Sequence, residues 1–106
     1  MIGGEHMKTR RLGKTGLMVS EIGFGGEWLE RHTETEGIEL IRYASEKGIN
    51  MLDCWMADPK SRNIIGEGMK ENRDQWFIQG HIGSTWNDGQ YFRTREMKYV
   101  RPAFED

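Results

Sequence analysis

The chain has 106 residues, 30% charged and 36% hydrophobic, and 15 basic against 17 acidic side chains leave a net charge of −2. That size fits one small domain or one piece of a domain, and the near-neutral balance excludes a field aimed at nucleic acid or an anionic membrane. No apolar run approaches the roughly 18 residues a membrane helix needs, and the single cysteine, Cys54, excludes an internal disulfide and a thiolate cluster.

Residues 1–7 are polar and Gly-rich and lack an apolar signal-peptide core. They read as an N-terminal extension or scar, with the fold in residues 8–106 and the cytoplasm as the expected compartment. Residues 8–20, KTRRLGKTGLMVS, predict a β-hairpin turning at Gly13 to Gly16. Residues 21–26, EIGFGG, predict a short buried strand ending in glycines, which serve a tight turn or let a ligand approach the backbone. Residues 34–47 predict an amphipathic helix, with Ile38, Ile41 and Ala44 at helical spacing, Leu40 beside them and Gly48 as the stop. Residues 49–53, INMLD, are an apolar run ending in an acid. Residues 61–71 predict a second helix, with Ile64, Ile65, Gly68 and Met69 on one face and Ser61 or Asp58 as candidate caps. Residues 76–82, WFIQGHI, predict a third strand. An 11-residue loop is expected at 83–93, then a third helix near Thr94 carrying Met97, Val100 and Phe104, in which Pro102 marks a kink or the true start. The order after the hairpin is β-α-β-α-β-α, which implies parallel strands joined by helical crossovers.

Three blocks in this order resemble the aldo-keto reductases. RRLGKTGLMVSEIGFGG (10–26) is similar to the family's opening hairpin and first strand. GINMLDCWMADPKSRNIIGEGM (48–69) aligns without a gap to the pattern G-I-N-x-x-D-T-A-x-x-Y-G-x-S-E-x-x-I/L-G-x-A-L. RDQWFIQGHIG (73–83) resembles the strand R-D-x-x-x-I-x-T-K. The resemblance implies an α/β fold: a partial TIM (β/α)₈ barrel, comprising the hairpin and about three strand–helix units. The DCW, GHIGSTW and RPAFED segments are similar to a bacterial branch that often carries a C-terminal ferredoxin-like iron–sulfur domain. Such a cluster needs several thiolates, and Cys54 alone cannot hold one.

Barrel sites lie at the C-terminal ends of the strands. Here those ends supply Gly25, Gly26 and Glu27, then Asp53 and Cys54, then His81. The resemblance implies carbonyl reduction with NADP(H), in which a tyrosine donates a proton beside an aspartate, a lysine and a histidine. Asp53 falls on the family aspartate, Asp58 on the tyrosine and His81 on the lysine; the family histidine belongs to a fourth strand. An ordinary aspartate is ionised at neutral pH and donates nothing. A histidine can donate there, so a histidine acid held by Asp53 is chemically workable. Gly25, Gly26, Glu27 and Asp53 fall where the family holds the nicotinamide ribose. The expectation is therefore a reductase fragment, inactive and without cofactor as this chain, whose full-length family acts on small carbonyl compounds. Two alternatives stand beside it. One is a metal-binding rim of Glu27, Asp53, Asp58 and His81, although their spacing carries no metal signature. The other is a non-enzymatic fragment that self-associates through open sheet edges.

Overall fold

The structure is a computed structural model that describes residues 7–55 and 58–106. The extension expected at residues 1–7 lies outside the described residues, apart from Met7.

The chain opens with an antiparallel hairpin of Thr9–Arg11 (β1) and Met18–Ser20 (β2), registered Thr9 to Ser20. Gly16 turns the chain with φ 79°, a left-handed value that glycine adopts without steric cost. Thr15 Oγ1 locks the turn by donating to Leu12 O at 2.6 Å. The hairpin is tied to the rest of the protein through Asn50. Its Oδ1 accepts from Ser20 N at 2.7 Å, its Nδ2 donates to Met18 O at 3.1 Å, and its own N–H donates to Ser20 Oγ.

Three parallel strands follow: Phe24–Gly25 (β3), Met51–Cys54 (β4) and Phe77–Gly80 (β5), in the order β3-β4-β5. Gly25 pairs with Asp53, and Asp53 with Gln79. The parallel pairing agrees with the expectation. The first strand is shorter than EIGFGG suggests: only Phe24 and Gly25 join the ladder, and Ile22 is exposed. Helices Glu34–Glu46 (α1) and Pro59–Met69 (α2) make the crossovers. Thr33 starts α1 with a capping box: its Oγ1 accepts from Glu36 N, and its N–H donates to Glu36 Oε1. The Thr33 hydroxyl also donates to Glu36 Oε1 at 2.9 Å, and this bond, with that from the Thr33 N–H, holds the Glu36 carboxyl below the usual carboxylate range. Asp58 starts α2, its Oδ1 accepting from Lys60 N at 2.8 Å, with Pro59 in the first turn.

The core is one cluster of Leu29, Ile41, Ala44, Leu52, Ile64, Ile65, Met69 and Trp76. Leu52, at 0% exposure, is the strand's contribution to it. The helices meet through two reciprocal seats. A Cβ on Gly37 of α1 would lie 2.6 Å from Ile64 Cγ2, and one on Gly68 of α2 would lie 2.9 Å from Ile41 Cβ. Each helix thus offers a bare backbone to the other's isoleucine.

The expected loop at 83–93 is instead a second hairpin, Ser84–Asn87 (β6) with Gln90–Arg93 (β7). Asp88 (φ 51°) and Gly89 (φ 75°) both take left-handed backbone, the conformation that suits a two-residue turn to the twist of its strands. Helix Met97–Glu105 (α3) packs on this hairpin, with Phe92 edge-on to Tyr99 at 5.1 Å. Pro102 lies inside the helix and does not start it. Of the apolar positions expected there, Val100 is buried while Met97 and Phe104 are exposed. The architecture is α/β with an open parallel sheet, matching part of a barrel and not closing one. No helix among the described residues is long and apolar enough to cross a membrane.

Candidate functional site

The C-terminal ends of β3, β4 and β5 form one rim, opposite the end that Asn50 ties to the first hairpin. Alternation along β4 puts Leu52 and Cys54 on one face and Met51 and Asp53 on the other. Leu52 enters the core under the helices, so Asp53 projects from the sheet's other face. His81 follows β5 directly. Its Nε2 lies 2.7 Å from Asp53 Oδ1, with the ring N–H donating to the carboxylate, and both side chains are about 40% exposed. Two residues 28 apart in sequence are therefore bonded at the mouth. The register that pairs Asp53 with Gln79 leaves His81 one step beyond the strand, free to lean back over its neighbour.

The glycines divide by role. Among the described residues nothing stands within 4 Å of where a Gly25 Cβ would lie, so there its backbone is open on the rim. A Cβ on Gly26 would lie 2.8 Å from Asp53 O and 3.1 Å from Ile65 Cδ1, and Gly26 N donates to Asp53 O at 2.8 Å. Packing alone accounts for Gly26. Glu27 is exposed beside it. Asp58 is engaged at the start of α2 and takes no part in the Asp53–His81 bond. Among the described residues no three His, Cys, Asp or Glu side chains gather as a metal would require, so Glu27, Asp53, Asp58 and His81 are not brought together.

Several residues at the site escaped the sequence reading. Glu30 is not merely solvated: Ser61 Oγ, fully buried, donates to Glu30 Oε2 at 2.8 Å, and Lys60 Nζ donates to Glu30 O. This fixes the turn after Trp28 onto α2. Tyr91 of the unexpected hairpin lies 5.3 Å from Trp55, ring centre to ring centre. Trp28 is half exposed and covered by the Arg31 guanidinium at 4.0 Å. Beyond His81 a cavity of about 710 Å³ opens between the strand end and the second hairpin, with Ser84, Tyr91 and Arg93 on its wall. The dipeptide Asp88-Gly89 was the available signal for this wall.

The comparisons with known proteins agree with the α/β fold. The chain is 31% identical over 101 residues to the uncharacterized oxidoreductase YqkF of Bacillus subtilis (strain 168), covering 92% of this chain and 33% of that protein. It superposes on the aldo-keto reductase AKR11C1 of Bacillus halodurans, in its holo form, with a TM-score of 0.80 and 28% identity over 94% of this chain. The chain matches aldo-keto reductases over about a third of their length. A protein of Pseudomonas aeruginosa assigned to the aldo-keto reductases gives a TM-score of 0.76 and 29% identity, covering 92% of this chain and 39% of that one. No family model matches the chain.

Proposed function

We propose that residues 8–106 supply the N-terminal rim of a nicotinamide-dependent carbonyl reductase in which the His81–Asp53 pair hands a proton to the carbonyl oxygen of a small substrate. The observation that carries this reading is the 2.7 Å bond between His81 Nε2 and Asp53 Oδ1 at the ends of neighbouring parallel strands. Asp53 fixes the ring and offsets its charge when both ring nitrogens are protonated. His81 Nδ1–H is then the group left to face a substrate. Donation from Nδ1 to the carbonyl oxygen leaves a neutral ring whose Nε2–H still bonds Asp53. Asp58 is given no proton to move, because its carboxylate is occupied at the helix start.

NADP(H), when bound, supplies the hydride for such a reduction. Gly25, Gly26, Glu27 and Asp53 would border its nicotinamide ribose. The open backbone of Gly25 fits that use, and the packed Gly26 supports it from behind. The phosphate and adenine ends need other parts of a barrel, so the chain by itself is assigned no turnover. The DCW, GHIGSTW and RPAFED segments support the ferredoxin-bearing branch of the family; iron analysis of a whole member tests that.

The test uses this segment within a complete barrel. NADPH oxidation with a simple aldehyde is expected to lose about 100-fold or more in kcat with His81→Gln, the usual scale for removing a general acid. Asp53→Asn should lower kcat while leaving KM nearly unchanged. Full activity in His81→Gln would overturn the assignment.

A further inference from the structure

The register of the second hairpin sorts its side chains onto two faces. Ser84 pairs with Arg93 and Trp86 with Tyr91, so these four share one face, while Thr85 with Phe92 and Asn87 with Gln90 share the other. The second face is committed. Thr85 is buried at 2% exposure, its hydroxyl donates to Phe92 O, and Phe92 packs on Tyr99 of α3. The first face turns to the strand ends. Tyr91 lies tilted against Trp55, two residues past Asp53, and Ser84, Tyr91 and Arg93 line the same cavity as His81.

That cavity is rich in donors. Arg95 joins Arg93 on its wall, and neither guanidinium enters an ion pair or a side-chain hydrogen bond among the described residues. The Ser84 and Tyr91 hydroxyls add two more donors. The one carboxylate on the wall, Glu96, is partly offset by Lys98 Nζ at 3.6 Å, and Asp53 is already bonded to His81. Neither guanidinium is paired with Glu96, and each can receive a carboxylate from outside through two parallel N–H bonds. A neutral carbonyl compound makes no use of them. The tilted Trp55–Tyr91 pair offers an aromatic surface for the rest of such a molecule.

We propose that this hairpin face is the specificity wall of the site, and that Arg93 and Arg95 hold the carboxylate of an anionic carbonyl substrate, a keto acid or an aldehyde acid, with its carbonyl turned toward His81. The assignment rests on the reductase reading for the reaction but not for the binding, and its test is therefore a binding measurement without cofactor. The chain is titrated with 4-carboxybenzaldehyde and with 4-methylbenzaldehyde, following the indole N–H signals of Trp55 and Trp86 by NMR. The acid is expected to bind at least about tenfold more tightly, the scale of a charge-assisted fork, and its affinity alone should fall with added NaCl. Arg93→Ala with Arg95→Ala removes the difference, and Arg93→Lys keeps part of it by retaining charge without the fork. An unchanged Trp55 signal in the free variants shows that the hairpin is in place.

Equal binding of the two aldehydes overturns the proposal. So does a preference that survives the double alanine variant. Inorganic phosphate that displaces the acid at equal concentration assigns the arginines to phosphate and overturns the carboxylate. A complete barrel that reduces neutral aldehydes without preferring the acid defeats this inference and leaves the reductase reading intact. Arginine-dependent acid binding in a barrel that reduces nothing does the reverse.

Discussion

Cys54 shows how far one position on a strand can decide a side chain's chemistry. It follows Asp53 directly, yet alternation turns it to the helix side, where it packs against the core beside Ile65, Met69 and Ile78. Burial there pushes the thiol's pKa up, Arg62 pulls it back in part, and the Asp53 charge raises it again. The folded chain therefore holds this proton more tightly than the unfolded one. Its contribution to stability is intact below the range of a free thiol and is lost as pH rises through that range toward the folded value. Alkylation by iodoacetamide should be slower than that of a free thiol at pH 8, and should still climb at pH values where the free thiol has levelled off. A rate matching the free thiol at every pH would contradict the burial. Sequence alone could nominate Asp53 and His81, since each falls at the end of an expected strand. It could not give the bond between them, which depends on which strands pair and in what register. Arg93, Arg95 and Tyr91 were invisible for a different reason: with residues 83–93 read as loop and a helix expected from near Thr94, their side chains had no face to share.

The second hairpin is the element that the pattern of apolar residues conceals. STWN and QYFR are too short and too polar to announce strands by alternation, and the Asp88-Gly89 pair between them is the stronger signal. Gly89 at φ 75° has nothing near its missing Cβ, so any side chain there is strained by backbone conformation alone. Gly89→Ala is expected to cost about 1 kcal/mol and to weaken the Trp55–Tyr91 contact, read as lost cross-peaks between the two rings. The helices were legible in outline from spacing and terminal glycines, and Thr33-x-x-Glu36 also stands in the sequence as a capping pattern. What spacing cannot show is why Gly37 and Gly68 are glycines. Both sit in helix interiors, where alanine ordinarily favours the helix. Here a methyl would be driven into Ile64 or Ile41. Gly68→Ala should therefore destabilise the protein by about 1–3 kcal/mol, the usual penalty of overpacking, measured by denaturant melting. A gain in stability would show that the seats are looser than their geometry.

As a whole the molecule is a slab of 50 × 36 × 19 Å. It exposes 7638 Å², against about 6100 Å² expected for a compact monomer of its mass. β3 and β5 each have one unpaired edge, Ile22, Ile78 and Ile82 are exposed near them, and an apolar groove runs along α2 between Ile65, Met69 and Ile78. Unpaired strand edges flanked by apolar side chains are templates for pairing with another chain. The isolated chain is therefore expected to self-associate, giving a light-scattering mass above that of the monomer; a sharp monomer peak with a single cooperative melt would refute this. The Asn50 clamp has a consequence of another kind. Among the described residues the first hairpin buries only Val19 and Ser20, and its polar bonds to the sheet run to one residue, Asn50. Elements with few buried apolar contacts open at low free energy, independently of the core. In native-state hydrogen exchange the Ser20 amide should open by a local fluctuation, while the Leu52 amide waits for global unfolding. Asn50→Ala should then speed Ser20 exchange and leave Leu52 tracking global stability, marking the floor of the fold and its core as separate cooperative units.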